Sequence, residues 1–77
     1  MDHHEKKSMM LDAIKAKAQG HIDVHKANIE IYLDNPVGIG EHSCIVESIE
    51  KELEAIAKYQ EKLEVISKYF ERPGPAY

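Results

Sequence analysis

Tryptophan is absent from this chain, phenylalanine occurs once, at Phe70, and cysteine once, at Cys44. A single cysteine excludes a disulfide within the chain. It fits a reducing compartment, where the thiol behaves as a small apolar side chain. Proline and glycine are scarce as well, and most of those in the body of the chain fall in one stretch, Asp34-Asn-Pro-Val-Gly-Ile-Gly40. Lysine and arginine number 10 against 14 aspartates and glutamates, for a net charge of −4, so no basic field exists to gather phosphates. Nucleic acid is thereby disfavoured as a partner. No apolar run approaches the roughly 20 residues of a transmembrane helix, and the charged start Met1-Asp-His-His-Glu-Lys-Lys7 has no apolar segment behind it. The expected setting is the cytoplasm, with no membrane partner.

Alanine, isoleucine, glutamate and lysine are plentiful, as in helical bundles rather than sheets. The 77 residues allow one domain, and a chain this short rarely builds a core worth more than about 3–5 kcal/mol without help from a metal, a disulfide or another subunit. Pro36 pushes Asn35 out of the helical region and has no N–H to donate, while Gly38 and Gly40 accept positive φ at little cost. The resulting reading is all-α: helix 1 over about 9–33, a loop at 34–40, helix 2 over about 42–71 and a tail at 72–77. Ser8 is the expected cap of helix 1, residues 1–7 are a frayed lead-in, and Ser43 caps helix 2, with Gly40 as the alternative. Pro73, Gly74 and Pro75 stop helix 2. A loop this short forces an antiparallel two-helix hairpin. It sets Leu33 near Glu41 and His25 opposite the turn from Glu47 to Ile49.

At 100° per residue, helix 1 carries two apolar stripes. Leu11, Ile14, Ala18, Ile22, His25, Ile29, Tyr32 and Leu33 line one side. Ala13, Ala16, Gly20, Val24, Ala27 and Ile31 line the other and are mostly small, which permits close approach of another helix, with Gly20 at the crossing. Helix 2 has one seam, Ile45, Ile49, Leu53, Ile56, Tyr59, Leu63, Ile66 and Phe70, in a near-heptad pattern. Its outer face pairs Glu47 with Lys51, Glu54 with Lys58 and Glu64 with Lys68 at i, i+4. One hairpin leaves the small-residue stripe of helix 1 uncovered. The expected cover is a second copy laid along it, giving a homodimeric four-helix bundle or a higher oligomer, with an unrelated obligatory partner or a monomer as the alternatives.

His21 and His25 have the i, i+4 spacing that puts two imidazoles on one helix face, where a metal could bridge them with glutamates such as Glu47 and Glu50. Those glutamates fall on the outer face of helix 2 and the Glu-x-x-His pattern of di-iron bundles is absent, so His25 reads first as a core-edge histidine hydrogen-bonded to helix 2. Glu47-x-x-Glu50 and Glu61-x-x-Glu64 resemble paired acidic magnesium motifs, but one helix holds both, about 21 Å apart. Met1-Asp2-His3 suits square-planar copper(II) or nickel(II), as does any chain with histidine third. Cys44 and His42 lack a third orienting group, and the Val-Gly-Ile-Gly turn follows a helix and lacks the ending of a phosphate loop. The expected catalytic and cofactor sets are therefore empty.

The stretch His21-Ile-Asp-Val-His-Lys-Ala-Asn-Ile-Glu-Ile-Tyr-Leu-Asp-Asn-Pro-Val-Gly-Ile-Gly-Glu-His-Ser, followed by the Ile-Val-Glu-Ser-Ile-Glu-Lys-Glu-Leu helix, resembles short proteins of T4-like marine bacteriophages. The resemblance runs from about Met10 to Phe70. It implies a viral origin and action in the cytoplasm of a bacterial host, and no catalytic or binding residues. Cys44 stands where a polar or acidic helix-start residue is more expected. The function expected from the whole is a non-enzymatic interaction or adaptor module, self-associating through Ala13, Ala16, Gly20, Val24, Ala27 and Ile31, with a host or viral protein as a further partner. The alternative is a metal-binding bundle or metal-dependent enzyme built on His21, His25 and glutamates of helix 2.

Overall fold

A computed structural model describes residues 3–34 and 42–71, with side chains from 5–34 and 44–71. Two helices make up the described residues, α1 (His3–Asp34) and α2 (His42–Phe70), packed antiparallel on one another. At 1.5 Å per residue they are about 48 and 43 Å long. The turn stretch, with Pro36, Gly38 and Gly40, lies outside the described residues, as do Met1, Asp2 and the tail with Tyr77.

Helix α1 begins at His3, six residues before the start expected at Met9, so Ser8 sits inside the helix and does not cap it. Nothing between His3 and Ser8 breaks a helix, and Glu5 places a negative charge in the first turn, beside the positive end of the dipole. Helix α2 lies within one residue of the expected span. Because α2 starts at His42, Ser43 sits inside its first turn and does not cap it, and Gly40, the alternative cap, lies outside the described residues.

The inward positions of α1 run Leu11, Lys15, Ala18, Ile22, His25, Ile29 and Tyr32, a strict alternation of four and three. Ile14 and Leu33, expected in this row, are exposed instead, at 48% and 67%. On α2 the matching row is Ile45, Ile49, Glu52, Ile56, Tyr59, Leu63 and Ile66. Leu53 and Phe70 leave it, at 52% and 56% exposed, and Glu52 takes the inward place expected of Leu53. Among the described residues only Ala18, Ile22 and Ile66 are buried outright. Two helices share a single seam, and each keeps the rest of its circumference in solvent.

The register also differs from expectation. His25 faces Glu52, about a turn farther along α2 than a tight loop would set it, and His21 lies against Tyr59, nearly two turns farther. Lys15 closes the open end of the hairpin on Glu71 at 2.7 Å. That contact raises the Lys15 ammonium pKa, first through the hydrogen bond to Glu71. On the outer face, Glu47–Lys51, Glu54–Lys58 and Glu64–Lys68 do not close as ion pairs. Lys58 lies over the ring of Tyr59 and Lys68 over that of Tyr69, while Gln60 donates to Glu64 at 3.3 Å. Exposed ion pairs are worth so little that a neighbouring ring competes with them.

Because the buried set is so small, each member carries a large share of the packing. Ile22→Ala should cost about 2–4 kcal/mol and lower the urea midpoint of the helical circular-dichroism signal. Val24→Ala, on the exposed side of α1, should shift it far less. Equal shifts would contradict the seam.

Candidate functional site

Halfway along the seam, three polar side chains replace apolar packing. Glu52 accepts a hydrogen bond from Asn28 Nδ2 at 2.6 Å through Oε1, and its Oε2 lies 2.9 Å from His25 Nδ1. A carboxylate only accepts, so the contact requires the proton on Nδ1. The side chains of His25 and Glu52 are 23% and 16% exposed, so both are largely withdrawn from water. Tyr59 lies beside them, with its ring stacked on His21 at 4.3 Å between centroids and nearly parallel to His25 at 6.2 Å. Lys58 and Lys62 place their ammonium groups 5.4 and 5.3 Å from the same ring.

The hydrogen bond from His25, and next the one from Asn28, hold the Glu52 carboxyl below its ordinary value of 4.5, against a smaller opposing effect of burial. With both of its oxygens engaged from α1, Glu52 acts as a clasp between the helices. A polar layer in an apolar seam specifies register at some cost in stability, because any other alignment strands the same groups without partners.

His25 does lie at the edge of the core and meets α2, as its place in the main stripe implied. The carboxylate it meets is Glu52, which was not among the expected ligands. Glu47 and Glu50 are exposed and do not join His21 and His25. Among the described residues, no three histidine, cysteine, aspartate or glutamate side chains converge where a metal could be held. The side chains of His3 and His42 lie outside the described set. Cys44 is exposed rather than packed as a small apolar residue. None of the described helices is long and apolar enough to cross a membrane.

Glu52, Asn28 and the stacking of Tyr59 on His21 were missed because hydrophobicity alone selects Leu53 for the seam. The strict four-three alternation through Ile45, Ile49, Ile56 and Tyr59 carries the signal, since it lands on Glu52.

The six residues of the small stripe all lie on exposed positions of α1, with Val24 and Ile31 at 58% and 64%. A Cβ added at Gly20 would meet nothing within 4 Å.

A carboxyl whose pKa is lowered by folding stabilises the fold fully above its ordinary value, and that stability drains away as pH falls through the lowered one. The melting temperature should therefore fall as the pH drops below the ordinary carboxyl value of 4.5, and Glu52→Gln should flatten the drop while lowering the melting temperature at neutral pH. An acid transition of the same depth in the variant would place the coupling elsewhere.

No protein-family model matches the chain, and comparison with curated proteins and with solved structures finds no significant match.

Proposed function

We propose that the chain is a non-enzymatic interaction module that self-associates along α1 and acts as a small adaptor. The observation that carries this reading is the uncovered row Ala13, Ala16, Gly20, Val24, Ala27 and Ile31 on a helix whose opposite side already packs against α2. An apolar row continuing through six positions of one helix marks a contact surface more often than chance exposure. The smallness of its members suits a helix neighbour, since alanine and glycine let axes approach below the usual 8–10 Å. Two copies joined there bring α1 against α1 in a four-helix assembly, with one patch serving both partners. A host or viral protein is proposed as the further partner.

Gly20→Leu tests the surface with little confusion from folding. The position is open in the single hairpin, and leucine favours the helix over glycine by roughly 0.8 kcal/mol. Helical content should hold or rise, while sedimentation velocity shows the dimer giving way to monomer. A dimer that persists unchanged at every concentration would exclude this row as the contact.

A further inference from the structure

Between the helices at the open end of the hairpin runs a groove of about 480 Å³, with Leu11, Ile14, Val65 and Phe70 on its walls and the buried Ile66 at its floor. It continues at one end into a smaller hollow beside Tyr59 and Ala18, sharing Ile14 and Lys62, and at the other into one beside Ser8, sharing Leu11 and Phe70. From Tyr59 to Phe70 this furrow is about 16 Å long, the length of three turns of a helix laid in it. Ile14, Val65 and Phe70 are exposed along it, at 48%, 41% and 56%.

Its rim reverses the charge of the molecule. The chain carries −4 overall, yet four lysines, Lys7, Lys17, Lys58 and Lys62, border the furrow against Glu61 and Glu71. Glu71 is already met by Lys15 at 2.7 Å. Lys58 and Lys62 are further held over the Tyr59 ring, which keeps their charge at the edge of the apolar floor. An apolar trough with a positive border selects a ligand that is apolar on one face and negative on its flanks.

We infer that the open-end groove is the docking site for an acidic amphipathic helix of a partner protein, with large apolar side chains in the trough and carboxylates toward Lys17, Lys58 and Lys62. This rests on the reading of the chain as an interaction module. It does not rest on the self-association row, which lies on the far side of α1 from α2.

The test uses the full chain and a fluorescent synthetic helix of about 15 residues carrying leucines on one face and glutamates on both flanks. A control peptide carries lysines in place of the glutamates. The acidic peptide should bind at least about tenfold more tightly than the control, and its affinity should fall with rising salt. Lys58→Glu with Lys62→Glu should invert that preference, and Phe70→Ala should weaken the acidic peptide without inverting it. If the double variant loses helical content, Lys17→Glu on the exposed flank of α1 supplies the same comparison. Gly20→Leu should bind the acidic peptide as the parent does, so failure of the self-association row and failure of the groove read out separately. Equal binding of the two peptides, or none, overturns the inference. So does displacement of the acidic peptide by phosphatidylserine vesicles or single-stranded DNA, which would make the groove a general anion surface.

Discussion

Glu52 shares its carboxylate between His25 and Asn28, and the alignment of the two helices depends on that sharing. Isoleucine and leucine along a seam fit their neighbours nearly as well after a slip of one turn, so apolar packing alone leaves register weakly specified. A slip here would leave Glu52, His25 and Asn28 half-withdrawn from water and without partners, at the desolvation penalty of each. The fixed alignment then places Lys15 on Glu71 and stacks Tyr59 on His21, so the contacts at the open end follow from the layer in the middle.

Polar side chains at inward positions limit what the seam can bury. Three inward positions, held by Lys15, His25 and Glu52, go to side chains that keep a polar end in contact with water or with each other. Among the described residues, outright burial is left to Ala18, Ile22 and Ile66. Apolar residues then accumulate on surfaces that the hairpin cannot cover. Two of these surfaces differ in chemistry: the back of α1 is small and uncharged, whereas the furrow between the helices is large-residue and bordered by lysine. The first suits a second copy of the same helix, and the second suits a ligand of opposite charge. A module with both would hold a partner at one surface while pairing through the other.

Much of the fold was legible because the chain punctuates itself clearly. Pro36, Gly38 and Gly40 separate two long helix-compatible runs, and Pro73 closes the second, so α2 fell within a residue of its expected bounds. The start of α1 was not legible from Ser8, since a good capping residue stops nothing when helix formers continue ahead of it. The seam departs from hydrophobicity at Leu53 and Ile14 for a related reason: the four-three alternation points instead to Glu52 and Lys15. In a two-helix contact the geometry of the helix decides which residue faces inward, and the chemistry of that residue decides only what it costs. The furrow is not legible in the sequence because its walls come from both helices, and its composition emerges only once the register is known.

With three side chains buried outright among the described residues, the proposed pairing along α1 should be part of the folding of the hairpin. Thermal unfolding followed by circular dichroism over a hundredfold range of protein concentration measures that directly. Mass action then requires the melting temperature to climb with concentration, each tenfold step adding about 1.4 kcal/mol per dimer. A melting temperature that stays constant across the whole range would show a self-sufficient hairpin and contradict the role of the alanine and glycine row.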